Sequence, residues 1–206
     1  LCVEALGYLQ RCVEKHQWDE ERAQARIFMA DYYQAIGDMD RAREQLALSI
    51  KESPRRRDAF FRMAEIYRLA KDFEKAAIWY SMCVAVPKSG INYLQDETLY
   101  GAIPYLRMAY CYWYTGNLKL ALEAFELAKK IDPENPELKS NLHFFDLPKV
   151  SIIIPTRFRD DLLNDTIKAI HDDLDSYPNV EVIVFRDEDE EPLGCVKAVS
   201  YTHLRA

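Results

Sequence analysis

Two short stretches near the end of the chain contain the residues best suited to chemistry. The first, VSIIIPTR, ends in Pro155, Thr156 and Arg157. The second, NVEVIVFRDED, ends in closely spaced carboxylates that include Asp187 and Asp189. A carboxylate accepts charge-assisted hydrogen bonds from N–H groups, and paired carboxylates can hold a divalent cation. The alternative interpretation is that the second stretch ends in a solvent-exposed acidic loop.

The remaining sequence contains none of the common catalytic motifs. It has no nucleophile elbow, P-loop, GxGxxG or HExxH pattern. His16, His143 and His171 have no partner at a spacing typical of metal ligands, so we expect them to be structural or exposed. These remaining residues therefore predict no catalytic residue and no metal-ligating residue.

The pattern around the two stretches predicts a strand, a helix and a second strand. Residues 150–154 form an almost continuous apolar run, which is typical of a strand buried on both faces of a parallel sheet. Apolar residues then recur along one face of a helix, at Leu163, Ile167, Ile170 and Leu174. Residues 180–185 form the second strand. In such a βαβ unit, ligands bind beyond the carboxyl ends of the strands, where both stretches end.

The preceding residues, 1–147, are dominated by helical patterns that repeat. The small residues Ala42, Ala76 and Ala121 are 34 and 45 residues apart, so the second interval is one period with 11 additional residues. We place this insertion at about 91–101. The frame also aligns small residues that allow close helix contact and bulky residues that fill the space between helices: Ala30, Ala64, Ala109, Leu46, Tyr80 and Phe125.

This frame resembles the tetratricopeptide repeat, whose period is 34 residues. The resemblance implies a mainly α fold, an α-solenoid with repeats at about 23–56, 57–90 and 102–135. Such a stack offers a groove for a protein or glycan partner. Tyr110 and Trp113 are either a peptide-binding surface in that groove or packing against the next module. A Lys/Asn clamp for a C-terminal carboxylate is not evident in the sequence.

Residues 148–198 resemble the opening of a family 2 glycosyltransferase, which has a GT-A, Rossmann-like α/β fold. The resemblance implies a nucleotide-sugar donor whose nucleoside lies against the backbone of Pro155 and Thr156. Arg157 would lie close by, and Asp187 would accept a hydrogen bond from the base. One position differs, because Arg186 replaces one of the two acidic residues that commonly end the second strand.

The same resemblance implies a divalent metal, Mn²⁺ or Mg²⁺, in the full domain. In that family the metal-binding carboxylates and the catalytic base follow later strands. Residues 187–189 therefore match the DxD pattern too early to be the metal site. We expect this truncated α/β portion to bind no cofactor and to be inactive by itself.

The two ends of the chain carry expectations of their own. Residues 199–206, VSYTHLRA, resemble the translation of a transposon-end sequencing adapter, so we expect a non-native tail; the alternative is a short strand. The first helical pattern begins in mid-period, so we expect the natural N-terminus to precede Leu1. The sequence leaves the sugar, the acceptor, the stereochemical outcome and the oligomeric state open.

Composition narrows the choice of function. Hydrophobic residues make up 49% of the chain and the net charge is −7, so a basic face for nucleic acid is not expected. No apolar run reaches the roughly 18–20 residues of a membrane span. Five cysteines without a CxxC pair indicate reduced thiols in the cytoplasm. Two interpretations remain: a glycosyltransferase fragment with interaction repeats, or an interaction scaffold without catalytic activity.

Overall fold

A computed structural model of the chain describes residues 2–88, 90, 93–146, 148–156, 160–174 and 180–185. Its contacts divide the chain into two compact units, Leu1–Asn141 and Leu142–Ala206. The first unit contains seven complete α-helices within its described part, and the second contains a helix between two strands.

The helices of the first unit follow one another with short connections. They are α1 (Cys2–Lys15), α2 (Asp19–Ala35), α3 (Met39–Glu52), α4 (Arg57–Leu69), α5 (Phe73–Ala85), α6 (Ile103–Tyr114), α7 (Leu118–Ile131) and, across the unit boundary, α8 (Pro136–Phe145). Helices α2 and α3, α4 and α5, and α6 and α7 pack as pairs, and each pair packs against the next through α3 and α4 or through α5 and α6. We call α2, α4 and α6 the first helices of their pairs.

The same backbone turn joins the two helices of every pair. Gly37 and Gly116 have φ angles of +81° and +76°, and Lys71 occupies the corresponding position with a φ of +60°. The next residue is an Asp or Asn that caps the second helix. The capping residues are Asp38, Asp72 and Asn117. The side chain of each accepts a hydrogen bond from the backbone N–H group three residues later. Repetition of this turn gives all three pairs the same local geometry.

The predicted repeat frame is confirmed by the core. Ala30, Ala64 and Ala109 are buried on the first helices, and the matching alanines on the second helices are also buried. The bulky residues Leu46, Tyr80 and Phe125 have no more than 1% of their surface exposed. Small residues allow the two helices to approach, and the bulky residues then fill the space between them.

The additional residues between the second and third pairs form an ordered insertion within the part that is described. A 3₁₀-helix, Glu97–Tyr100, lies between α5 and α6, and its Leu99 is buried. Asp96 caps this short helix by accepting a hydrogen bond from the Thr98 N–H at 3.0 Å. The insertion is therefore folded against the repeats near Asp96 and Leu99.

The second unit contains the predicted strands, paired in parallel. Strand β1 (Val150–Pro155) pairs with β2 (Val180–Phe185), with Val150 opposite Val180 and Pro155 opposite Phe185. Helix α9 (Asp160–Leu174) lies between them in sequence. The Thr156 N–H continues the pairing by donating to the Phe185 carbonyl at 2.9 Å.

The expectation that β1 is buried on both faces is wrong for the described residues. Ile152 and Ile154 are half-buried, but Ile153 points away from them and is 58% exposed. In a parallel sheet the faces are covered by helices, and the side of β1 that carries Ile153 has no such cover among the described residues. The sequence of β1 is therefore apolar at successive positions, whereas only alternate positions are half-buried in the structure.

No helix among the described residues is long and apolar enough to cross a lipid bilayer.

Candidate functional site

A pocket of about 290 Å³ follows the length of α4. We call it the α4 pocket, and its lining comes from α2, α4 and the insertion: Gln34, Asp58, Phe61, Arg62, Glu65, Leu69, Asp96 and Leu99. Asp58 lies near the start of α4 and Leu69 at its end, so the pocket is elongated along the helix. It combines apolar walls with acidic groups, which is a lining suited to a ligand that has both apolar and polar parts.

Ion pairs connect the first helices of successive pairs beside this pocket. Asp31 of α2 pairs with Arg62 of α4 at 2.5 Å between Oδ1 and Nη1. Glu65 of α4 faces Arg107 of α6, whose Nε lies 3.7 Å from Oε1. Arg107 also pairs with Glu137 of α8. Arg62 and Arg107 thus each have a carboxylate partner within the first compact unit.

Glu65 is the most strongly coordinated carboxylate of the pocket. It accepts hydrogen bonds from the Arg68 guanidinium, with Nη2 at 2.6 Å, and from the Tyr80 hydroxyl. Burial raises the pKa of Glu65, but the hydrogen bonds from Arg68 and Tyr80 outweigh that effect and hold the pKa below its usual value. Burial, reinforced by the neighbouring Glu65, raises the pKa of Tyr80. At neutral pH Glu65 is therefore an anion, and both of its carboxylate oxygens already accept hydrogen bonds.

Asp58 has a different environment from Glu65. The residue is only 5% exposed, and its Oδ1 accepts a hydrogen bond from the Asp96 N–H at 3.2 Å. Its Oδ2 is buried and accepts no hydrogen bond from any residue that the structure describes. Neither Asp58 nor Asp96 forms an ion pair within the described ranges. The pocket lining therefore includes a buried residue, Asp58, one of whose carboxylate oxygens accepts no hydrogen bond from the described residues.

Two arginines that precede Asp58 attach the insertion to α4. The Arg57 guanidinium donates to the carbonyls of Val84, Val86 and Leu99 at 2.9, 2.8 and 2.9 Å, and it stacks over Tyr100. Arg56 is fully buried and donates to the Leu94 carbonyl at 3.1 Å. These bonds fix the insertion and so position its part of the α4 pocket.

Sequence reasoning missed Asp58 and the two arginines. The available signal was the sequence RRRD at the start of a helix, where positive charge is unfavourable because of the helix dipole. Arginines at such a position require acceptors from elsewhere in the fold. The 11 additional residues supply some of those acceptors.

The predicted groove residues Tyr110 and Trp113 lie on α6. Tyr110 is 39% exposed and belongs to an aromatic cluster with Phe73 and Tyr114, with ring centroids 4.6 to 5.8 Å apart. Trp113 is half-buried. Neither residue lines the α4 pocket. Their role in partner binding stays a prediction.

The predicted nucleotide-binding residues are only partly within the described ranges. Pro155 is exposed and Thr156 is half-buried at the end of β1. The backbone N–H of Thr156 is already used by the Phe185 carbonyl. Arg157 and Asp187 lie outside the described residues, as do residues 187–189. The structure therefore places the two strand ends side by side without testing the nucleotide site.

The thiols and imidazoles of the described residues form no metal site. Groups of three or more His, Cys, Asp or Glu side chains able to hold a metal ion do not occur in the described ranges. Cys83 and Cys111 are buried free thiols, and burial raises the pKa of each to about 12. His16 pairs with Glu21 at the surface, and His143 contacts Phe144. We assign these groups no chemistry.

Comparison with known proteins agrees with the helical architecture. Models of the tetratricopeptide repeat match residues 28–89 and 102–135. These two segments are tetratricopeptide repeats. The interval between the matched segments contains the insertion, so the repeat array is interrupted where the α4 pocket acquires Asp96 and Leu99. No curated protein matches the chain in sequence.

Solved structures show the same repeat fold. The N-terminal domain of stress-induced protein-1 from C. elegans is 18% identical, with a TM-score of 0.55 over 64% of this chain and 100% of that domain. A double mutant of MamA RS-1 is 18% identical, with a TM-score of 0.54 over 85% of this chain and 82% of that one. The first repeat domain of Spaghetti (RPAP3), solved with the HSP90 peptide SRMEEVD, is 18% identical, with a TM-score of 0.51 over 61% of this chain and 91% of that one. These likenesses establish the fold alone.

Proposed function

We propose that the tetratricopeptide repeats bind an extended peptide segment of a protein partner in the α4 pocket. The observation that supports this function is an elongated pocket built by α2, α4 and the insertion, with apolar and acidic walls. A repeat domain of similar fold was solved with a bound peptide, which shows that such an architecture can hold one. The partner is therefore a protein, and the repeats act as an interaction scaffold.

The ion pairs of the first helices make the pocket suitable for this purpose. Arg62, Glu65 and Arg107 are held by partners on neighbouring helices, so they are preorganised before a peptide arrives. A preorganised surface loses less conformational entropy on binding. Phe61 and Leu69 add apolar surface whose burial favours association.

A peptide selection tests the proposal. A phage-displayed dodecapeptide library is selected against the full chain, and enriched sequences are synthesised with a fluorescent label for anisotropy titration. Gln34→Trp places a bulky side chain at one wall of the pocket and should weaken binding at least tenfold. The matched control is Gln10→Trp on the exposed surface of α1, which should leave affinity unchanged.

Comparison of the two variants shows whether peptides bind in the α4 pocket. Loss of binding in Gln34→Trp with normal binding in Gln10→Trp supports the α4 pocket as the peptide site. Equal affinity for both variants would move the site elsewhere on the repeats. Failure of any sequence to become enriched over several rounds would contradict peptide binding as the function.

A second candidate function concerns residues 148–198. We propose that they are the opening of a family 2 glycosyltransferase domain, which would transfer a sugar from a nucleotide-sugar donor to a protein or glycan acceptor. Support comes from the parallel pairing of β1 and β2, which places the ends of both strands at one edge. In that family the metal-binding carboxylates follow later strands, so the proposal covers the nucleoside part of such a site and not its divalent metal.

Calorimetry and a longer gene product test this second candidate. The chain itself should bind UDP or GDP more weakly than about 1 mM, equivalent to less than about 4 kcal/mol, with either Mn²⁺ or Mg²⁺. A gene product that continues beyond Ala198 should hydrolyse or transfer the sugar. Inactivity of that longer product towards nucleotide sugars would refute the assignment. Micromolar, metal-dependent binding by the present chain, abolished in Asp189→Ala, would instead place the metal at residues 187–189.

A further inference from the structure

We propose that the α4 pocket selects a basic side chain, lysine or arginine, of the bound peptide, and that Asp58 receives its charge. This inference rests on the proposed peptide-binding function and specifies the chemistry of the ligand. It depends on three observations: the unused carboxylate oxygen of Asp58, the charges that line the pocket, and the pocket's dimensions.

The first observation is the buried oxygen of Asp58. A buried carboxylate without an ion pair is unfavourable unless all its acceptor positions are used. The Asp96 N–H uses Oδ1 only, and no described residue donates to Oδ2. Asp58 lines the pocket, but its Oδ2 has almost no accessible surface, so a donor that enters the pocket completes the hydrogen bonding once the carboxylate turns towards it. An ammonium or guanidinium group would supply both the donor and the opposite charge.

The second observation is the balance of charge around the pocket. The lining includes Asp58, Glu65 and Asp96 against a single cation, Arg62. Arg62 is already paired with Asp31, and Glu65 is paired with Arg68 and Arg107, all outside the pocket lining. Asp58 and Asp96 are the lining charges that form no ion pair among the described residues. A free C-terminal carboxylate would be repelled by this lining, whereas a basic side chain is complementary to it. Charge thus favours a cationic ligand over an anionic one.

The third observation is the shape of the pocket. Its volume of about 290 Å³ is close to the lower end of the roughly 300–1,000 Å³ that is typical of ligand pockets. This is enough for a long side chain together with part of the neighbouring peptide backbone. Phe61 and Leu99 offer apolar surface for the methylene groups of lysine or arginine, which pack along such surface while the charged end stays hydrogen-bonded.

The insertion supplies two of the residues that line the acidic end of the pocket. Asp96 and Leu99 belong to the 11 additional residues, and both line the pocket. Asp96 also orients Asp58 through its backbone N–H. An uninterrupted repeat of 34 residues would lack both side chains. The insertion therefore converts a general repeat groove into a pocket with an acidic end.

The test uses the peptides enriched in the library selection. We expect a lysine or arginine at one aligned position in those peptides. Each peptide is resynthesised with arginine replaced by citrulline, or lysine by norleucine, which removes the charge at nearly constant shape. Affinity for the full chain should fall by about tenfold or more.

Asp58→Asn identifies the group that receives the charge. This variant should weaken the basic peptide about tenfold or more and leave the citrulline or norleucine peptide unchanged, because the interaction is already absent. Asp40→Asn, an identical change at an exposed position of α3, is the control and should have no effect. If Asp58→Asn does not fold, Asp96→Asn and the peptide replacements on the unmodified chain still decide the question.

The possible results distinguish this inference from the function on which it rests. Enriched peptides that lack an aligned basic residue, or that tolerate citrulline or norleucine, would overturn the basic-side-chain pocket while leaving peptide binding intact. Equal weakening of basic and neutral peptides by Asp58→Asn would also overturn it. If no peptide is enriched, the proposed function fails and this inference fails with it.

Discussion

Arg57 should contribute more to stability than any neighbouring surface arginine, because it holds the insertion against α5. Its guanidinium donates three hydrogen bonds to the carbonyls of Val84, Val86 and Leu99. Two of those acceptors lie at the carboxyl end of α5, where carbonyls have no partner within the helix. Removing Arg57 therefore leaves several acceptors unsatisfied at once.

The expected magnitude follows from these bonds. A hydrogen bond that involves a charged group contributes about 1.5–3 kcal/mol, and bonds made by one side chain are not additive. Water can replace part of the loss at the bonds to Val84 and Val86, which are only partly buried. We expect Arg57→Met to lower the free energy of unfolding by about 3 kcal/mol. Arg57→Lys keeps the charge but not the planar fork, so it should cost about 2 kcal/mol.

Urea denaturation followed by circular dichroism measures the effect, and hydrogen exchange locates it. Amides of residues 93–102 should exchange faster in Arg57→Met than in the unmodified chain. Arg55→Met is the matched control, because Arg55 is exposed two residues away, and it should change stability by less than about 0.5 kcal/mol. A loss below about 1 kcal/mol in Arg57→Met, with unchanged exchange, would refute the anchoring role.

Three further predictions concern the repeats. Ala64→Leu should overpack the contact between α4 and α5 at a cost of about 1–3 kcal/mol, and an unchanged thermal melt would contradict the packing described for Ala64. Gly116→Ala should lower the free energy of unfolding by about 1 kcal/mol through backbone strain alone, since an added Cβ meets no atom within 4 Å. Lys71→Gly should raise the melting temperature, because it relieves the same strain at the equivalent turn. The pKa of Glu65 is lowered, so its stabilising effect should be complete at neutral pH and lost as the pH falls below about 4.5; acid titration of Glu65→Gln should show a smaller loss over that range than the unmodified chain.

The helical repeats could be predicted from the sequence because their core is local. Ala64 and Tyr80 pack within one helix pair or against the next, so their spacing along the chain already reflects their contacts. Gly37 and Gly116 likewise mark turns that need a left-handed backbone. Lys71 has the same left-handed backbone although it is not a glycine. Only its alignment with Gly37 and Gly116 in the repeat frame indicates this conformation.

The parallel strand pair was also predictable, though its burial was not. The alternation of strand, helix and strand within about 35 residues indicates parallel pairing, which the structure confirms. The exposure of Ile153 depends on how many strands and helices surround β1, and an apolar run contains no information on that number. The assignments of Arg157 and Asp187 to a nucleotide site stay predictions.

The sequence by itself determined the period, the turns and the core of the repeats, because those depend on contacts between residues close together in the chain. It did not determine the α4 pocket. Asp58, Asp96 and Arg57 appear in the sequence as ordinary charged residues, and in most proteins such residues are solvated. Only the tertiary structure brings Asp96 to Asp58 and buries both Arg57 and Asp58, because the insertion folds back over the start of α4. That long-range contact leaves Asp58 Oδ2 buried without a donor, and it is the physical reason why the pocket should accept a basic side chain.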